Sequence, residues 1–213
     1  MDKPELVIFD CDGVLVDSEV TANTIMAKSL SAHGFAVTTN ECMELFVGGT
    51  LPGTKVKAEQ LGAKLPDDWV EVVYQEVYAA LRNDCPLIEG VIDVLNALDT
   101  ASIPYCVASN GRHDKMEITL GQHGLLERFG GRIYSAQELA TAKPAPDLFW
   151  HAAKGVPLEN CVVVEDSANG VRGAKAAGIR CFAYAPEGDH GLKDEGAVPF
   201  ARMAELPALL GIG

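Results

Sequence analysis

Two aspartates one residue apart, Asp10-Cys11-Asp12-Gly13, follow the short apolar run that starts at Glu5. At the carboxyl end of a strand, positions i and i+2 begin on the same side, so both carboxylates converge on one spot, and converging carboxylates are the ligands of hard cations. A solvated Asp-Gly turn is the alternative for this motif alone. A calcium loop is excluded, because it needs glycine at its sixth position and glutamate at its twelfth, where this chain has Leu15 and Thr21. Three further segments place reactive side chains at the ends of apolar runs. Ser109-Asn110-Gly111 offers a hydroxyl, an amide and backbone N–H groups at a helix start, suited either to phosphate oxygens or to capping. Lys143 stands before Pro144, whose ring fixes the chain where the next helix begins, so its ammonium can be held at a strand end; a surface lysine is the alternative. Glu165-Asp166-Ser167 closes the run from Cys161 with two consecutive carboxylates, a costly placement unless a cation compensates them. Asp166 or Ser167 also suits the cap of the helix that starts near Ala168, and the two roles are compatible.

The elements that must position these groups alternate between two periods. Glu5 to Asp10, Tyr105 to Ser109, Arg132 to Ser135, Cys161 to Glu165 and Arg180 to Tyr184 are short and mostly apolar, as strands buried on both faces are. Between them, Val91, Val94, Leu95 and Leu98 form one helical face and Ala168, Val171, Ala174 and Ala177 another, with Gly178 as a stop. This alternation predicts an α/β fold with a Rossmann-like parallel-sheet core. From Ser18 to Asn83 the strand pattern is replaced by helical stretches, one marked by Ala22, Ile25, Met26, Ser29 and Leu30, another by Val70, Val73, Tyr74, Val77 and Leu81 after the Pro66-Asp67-Asp68 start signal. A small helical cap over 18–83, inserted into a core of 1–17 and 84–213, is therefore expected. Its linkers are expected at Val14 to Asp17 and at Arg82 to Leu87 around Pro86.

Composition narrows the functions such a scaffold can carry. The 213 residues hold 30 acidic and 17 basic side chains, a formal charge of −13 spread along the chain, which opposes binding to nucleic acid. Apolar stretches such as Leu6 to Phe9 fall far short of the ~20 residues that cross a bilayer, so no membrane span is expected. The start, Met1-Asp2-Lys3-Pro4, lacks the pattern of a signal peptide, and a cytoplasmic protein is expected. Cys11, Cys42, Cys85, Cys106, Cys161 and Cys181 form no C-x-x-C pair and read as reduced thiols. The five histidines form no ligand set for zinc. Gly48 to Lys55 is no P-loop, since it ends in Gly-Thr-Lys and follows no strand.

Acid pair, hydroxyl, lysine and acid pair, in that order at successive strand ends, resemble the haloacid dehalogenase superfamily of phosphatases and mutases. The resemblance spans the whole chain and is most specific from Phe9 to Ser18, with Ser109-Asn110-Gly111, Lys143-Pro144 and Val164 to Ser167 as the other motifs. The helical insertion looks like the type-one cap of the subgroup holding β-phosphoglucomutase and small sugar-phosphate phosphatases. Within it, Ser109-Asn110-Gly111 followed by Lys115-Met116 and Leu120-Gly121 is most similar to the bacterial 6-phosphogluconate phosphatase type. The resemblance implies that Asp10 is the nucleophile, forming an aspartyl-phosphate that water hydrolyses, and that Asp12 acts first as acid and then as base. It implies Mg²⁺ held by Asp10, the Asp12 carbonyl and Asp166 with help from Glu165, and a phosphate cradled by Ser109, Asn110 and Lys143.

The same resemblance separates the reactions within the family. Dehalogenases and phosphonate-cleaving relatives lack the second acid, and Asp12 is present. β-Phosphoglucomutase carries a cap histidine and a cap arginine, where the matching stretches here contain Ala22 and Gly48-Gly49-Thr50-Leu51. Hydrolysis of a small phosphorylated metabolite, a sugar or sugar-acid phosphate such as 6-phosphogluconate, is favoured over phosphoryl transfer to a second hydroxyl. A non-catalytic binding module on the same fold could afford to lose a motif acid, and none is lost. Glu19, Thr50, Lys55 and Lys57 are cap candidates for selecting the substrate, each with a surface or helix-capping role as its alternative.

Overall fold

A computed structural model describes residues 3–46 and 49–213, so the first two residues and positions 47 and 48, Gly48 of the cap among them, lie outside the described part. In chain order the elements begin with β1 (Leu6–Phe9), α1 (Glu19–Ala32), α2 (Thr39–Phe46), α3 (Leu51–Gln60), α4 (Trp69–Asn83) and α5 (Val91–Thr100). There follow β2 (Tyr105–Ser109), α6 (His113–Gly121), α7 (Leu125–Phe129), β3 (Ile133–Ser135), α8 (Asp147–Ala152) and β4 (Cys161–Glu165). The chain closes with α9 (Ala168–Ala177), β5 (Arg180–Tyr184), α10 (Leu192–Glu195), β6 (Val198–Phe200) and α11 (Leu206–Leu209). These fall into two compact units, one of Met1–Val16 with Leu87–Gly213 and one of Asp17–Pro86.

The first unit is a six-stranded parallel sheet in the order β3-β2-β1-β4-β5-β6, the α/β Rossmann-like arrangement. β1, β2 and β4 are buried throughout because helices cover both faces, which is why these strands read as continuous apolar runs. On one face Ile8, Cys106, Val163 and Cys181 share a core with Leu148 and Phe149 of α8 and Val171 and Ala174 of α9. On the other, Phe9 meets Tyr105 edge-on at 6.5 Å, and Tyr105 meets Phe129 of α7 at 5.4 Å. Gly178 ends α9 in a left-handed conformation, at the helix stop expected from sequence. β6 is an addition to the expected strands. At three residues with Pro199 in the middle, it has the marks of an edge strand and no periodicity to betray it.

Of the stretch expected as the first linker, Val14 to Val16 is core, and the boundary between the units falls before exposed Asp17. Val14, Leu15 and Val16 are fully buried, and their backbone folds into a tight flap in which Gly13 N–H donates to Val16 O and Leu15 N–H to Cys11 O, both at 2.9 Å. Val16 also bridges Leu87 antiparallel, and Ile88 N–H donates to Leu15 O at 3.0 Å. Three consecutive apolar residues cannot be left as a solvated tether; burial holds them and so fixes the backbone just after the Asp10-Cys11-Asp12 motif.

Within the second unit α1 packs on α2 and α4, and α3 on α4. Leu30, Val73, Val77 and Leu81 fill its interior, and buried Trp69 donates through Nε1 to Ser29 Oγ at 2.9 Å. Three of the cap candidates for substrate selection serve this unit internally. Thr50 caps α3 by accepting from Gly53 N–H. Lys55 Nζ donates to the carbonyls of Pro66 at 2.7 Å and Asp67 at 3.0 Å. Lys57 Nζ donates to Leu45 O and lies 5.6 Å from the centre of the Phe46 ring. Replacing Trp69 by Phe keeps an aromatic ring but removes the bond to Ser29. A loss of about 1 kcal/mol is expected, read as a lower urea midpoint with the slope unchanged.

Candidate active site

The strand order places β1 between strands reached by crossovers in opposite directions, so the sheet has its topological switch at the carboxyl ends of β1 and β4. Ligands of open α/β sheets bind at that crevice. Asp10 follows β1 directly, its N–H donating to Val164 O at 2.9 Å, and Glu165 is the last residue of β4. Both carboxylates therefore issue from neighbouring strands at the switch.

Lys143 joins them. Its ammonium donates to Asp10 Oδ1 and, at 2.6 Å, to Glu165 Oε1, with Lys143 and Glu165 almost completely buried. The ring of Phe149 lies 5.1 Å from Nζ and supplies a π face on another side. Burial works to lower the Lys143 ammonium, but Asp10 and Glu165 override it and push the pKa well up, so Lys143 is a permanent cation. Glu165 Oε2 accepts from the N–H groups of Asp166 and Ser167 at 3.0 and 3.1 Å and from Ser167 Oγ at 3.0 Å. Ser167 also caps α9 by accepting from Gly170 N–H at 3.1 Å, so the capping role foreseen for this segment coexists with the acidic cluster.

Lys143 sits on a loop without regular structure, and Asn110 is what holds that loop. The Asn110 carboxamide accepts from Lys143 N–H through Oδ1 at 2.9 Å and donates to Lys143 O through Nδ2 at 3.3 Å. The expected phosphate-binding residue thus has its side chain committed to positioning the lysine. Ser109 is buried at the end of β2, its Oγ accepting from Gly111 N–H at 3.0 Å.

Asp10, Glu165 and Asp166 each offer an oxygen within 4.8 Å of the others, the one group among the described residues with metal-binding proximity. An all-carboxylate set suits a hard divalent cation. Asp10 and Asp166 fit best as direct ligands, because both oxygens of Glu165 already accept from protein donors. Two glycines make room for this crowding. A Cβ on Gly13, whose φ is +79°, would lie 2.0 Å from Asp166 Oδ2, and one on Gly170 would lie 1.8 Å from Glu165 Cδ. Burial pushes the Asp10 carboxyl up to about 7; Lys143 pulls it back, while Glu165 and Asp12 add to the rise.

The Asp12 side chain is outside that acidic group. Its Oδ1 accepts from Lys115 Nζ at 2.7 Å, with both side chains mostly buried. Burial works to lower the Lys115 ammonium, the charge and hydrogen bond of Asp12 raise it, and the net direction is up. The sequence showed Lys115 only as part of a resemblance, and its distance from Asp12 along the chain left no local signal for the pair. Asp10, Lys143, Glu165 and Asp166 are thus brought together, Ser109 and Asn110 border them, and Asp12 stands at the side with its own cation.

A parallel sheet with three of these motifs at its strand ends and Lys143 on the loop before α8 is the arrangement of a haloacid dehalogenase-like hydrolase, and the chain belongs to that family, whose profile matches residues 4–178. It is an enzyme of the phosphoric monoester hydrolase class. The chain is 31% identical over 214 residues to 6-phosphogluconate phosphatase of Escherichia coli, covering 98% of this chain and 96% of that one. Among solved structures it is similar to a conserved haloacid dehalogenase-like protein of unknown function from Agrobacterium tumefaciens, at 34% identity and a TM-score of 0.85, with 97% of each chain covered. A family hydrolase from Deinococcus radiodurans, crystallised with bound phosphate and sodium, matches at 32% identity and a TM-score of 0.81 over 99% of this chain and 98% of that one.

Two outcomes test this geometry. Because Asp10 titrates higher in the folded protein than its ordinary value of 3.8, the stability it contributes is fully present below that value and lost as pH rises through about 7. Added Mg²⁺ should therefore raise Tm more at pH 8 than at pH 5, and Asp166→Ala should shrink the difference; an equal rise at both pH values would contradict the assignment. Gly170→Ala must displace Glu165 from Lys143, so hydrolysis of p-nitrophenyl phosphate should fall by about tenfold or more, measured as kcat.

Proposed function

We propose that the protein hydrolyses a small phosphate monoester in a Mg²⁺-dependent reaction through an aspartyl-phosphate on Asp10. The observation that carries this is the buried Asp10 carboxylate at the sheet switch point, paired to Lys143 and grouped with Glu165 and Asp166. Asp10 attacks phosphorus, the bond to the leaving oxygen breaks, and Asp12 gives that oxygen a proton. Asp12 then takes a proton from the water that splits the acyl-phosphate bond, releasing inorganic phosphate and restoring Asp10. Ser109, the Asn110 N–H and Lys143 hold the phosphoryl oxygens. Mg²⁺ held by Asp10, the Asp12 carbonyl and Asp166 would neutralise the charge of phosphate against the carboxylates, and Glu165 supports it by fixing Lys143.

Three considerations of different kind support the substrate class. A relative spanned almost end to end acts, by its name, on 6-phosphogluconate. The formal charge of −13 opposes polyanions such as nucleic acid. The core residues recognise phosphate alone, which leaves the helical segment 18–83 as the selector of the rest of the molecule. A sugar or sugar-acid phosphate of 6-phosphogluconate size is the substrate we favour. No described helix is long and apolar enough to cross a membrane, and six buried free thiols suit a reducing compartment such as the cytoplasm.

A panel of sugar, sugar-acid, nucleotide and phosphoprotein monoesters, assayed by released phosphate with Mg²⁺ and with EDTA, tests the proposal. Small sugar phosphates should turn over fastest, EDTA should abolish turnover, and Asp10→Asn should be inactive. Turnover surviving exhaustive EDTA, or conversion of β-glucose 1-phosphate to glucose 6-phosphate faster than phosphate release, would overturn it.

A further inference from the structure

Each carboxylate of the Asp10-Cys11-Asp12 motif has a lysine of its own. Lys143 serves Asp10 from the loop before α8, and Lys115 serves Asp12 from the first turn of α6. The second placement runs against the local electrostatics of a helix. The N-terminal turn carries partial positive charge, so a lysine there is disfavoured unless something outside the helix compensates it. The compensating group is Asp12, at 2.7 Å from Nζ.

The turn that carries Lys115 is itself fastened. Arg112 holds Asp114 with two bonds, Nε to Oδ1 at 3.1 Å and Nη2 to Oδ2 at 2.8 Å, and Asp114 Oδ1 accepts from Lys115 N–H at 2.9 Å. On the far side of the carboxylate, the Asp12 Oδ2 lies close against Gly111, where a Cβ would stand 3.3 Å from it. Gly111 is pinned in turn, its carbonyl accepting from Ser135 Oγ at 2.7 Å. All of these residues belong to one compact unit. A carboxylate on a single rotatable side chain samples several rotamers unless one of its oxygens is anchored, and a proton donor out of place loses rate steeply.

We propose that Lys115 is a positioning residue for proton transfer, anchoring Asp12 Oδ1 so that the carboxyl is held in the orientation from which it protonates the leaving oxygen. This inference rests on the assignment of Asp12 as general acid under the proposed function. Lys115 does not touch the phosphoryl group in this role. Its loss therefore falls on the bond-breaking step of poor leaving groups and spares substrate affinity.

The test compares wild type, Lys115→Met, Lys115→Arg, Asp12→Asn and the Asp12→Asn/Lys115→Met double variant on p-nitrophenyl phosphate and on phenyl phosphate, whose leaving group needs protonation more. Lys115→Met should lower kcat on phenyl phosphate about tenfold or more and on p-nitrophenyl phosphate several-fold less, with KM unchanged on both. Lys115→Arg should recover most of the loss, and the double variant should be no slower than Asp12→Asn alone, since the lysine acts only through Asp12. Equal losses on both substrates, a rise in KM alone, or additive losses in the double variant would overturn the proposal. If Asp12→Asn discriminates between the substrates and Lys115→Met does not, the inference fails while the general-acid assignment stands. If Asp12→Asn itself does not discriminate, that assignment falls and the role of Lys115 with it.

Discussion

The structure turns on one buried cation. Lys143 stands between Asp10 and Glu165 at the carboxyl ends of adjacent strands, and all three groups are withdrawn from water. Buried charges of this kind are tolerated only when each has partners, and removing one member of such a set costs about 3–5 kcal/mol because the others are left uncompensated. The central three strands, the loop that carries the lysine and the first turn of α9 must therefore agree in position to within a hydrogen bond. Burial raises the Asp10 carboxyl, and Glu165 and Asp12 add to the rise against the pull of Lys143, so two acids stand against one lysine in a group that could hold a divalent cation. The same imbalance that would weaken a purely structural ion cluster is what suits this one to phosphate chemistry.

Several local features serve that alignment. Asn110 clamps Lys143 through both its backbone N–H and its carbonyl, joining the end of β2 to an otherwise irregular loop. Glycines at 13 and 170 let two carboxylates lie where any side chain would exclude them. The buried flap Val14 to Val16 stiffens the chain immediately after the two aspartates, so they project from a stretch held at both ends: β1 before it and apolar packing after it. The site is thus built on rigid backbone even where it leaves regular secondary structure.

Charge is divided within the site instead of pooled. Lys143 belongs to Asp10 and the acidic cluster, Lys115 to Asp12, and the two lysines reach the motif from different elements. Such a division lets two carboxylates one residue apart occupy different environments, which is what two different chemical tasks require. The helical unit follows another logic: Thr50, Lys55 and Lys57 use their polar atoms to close its own turns. These contacts match the capping and surface roles that were the alternative reading of those residues.

The sequence by itself determined the architecture and most of the site. Apolar runs of four or five residues separated by helical periodicity dictate a parallel sheet, and reactive residues at the ends of those runs must gather at one edge of it, because all parallel strands end on the same side. Asp10, Asp12, Ser109, Asn110, Glu165 and Asp166 were legible for that reason, and Lys143, on an irregular loop, through the Pro144 that follows it. Tertiary structure alone decided who pairs with whom. Lys115 meets Asp12 across 103 residues, Asn110 turns its side chain to Lys143 across 33, and Gly170 yields its space to Glu165 across a helix cap. It also decided that Val14 to Val16 is core and that Val198 to Phe200 completes the sheet, since burial and edge pairing depend on neighbours that short segments do not encode. Periodicity is a property of nearby residues, whereas hydrogen bonds, close approach and charge compensation are properties of the folded space they come to share.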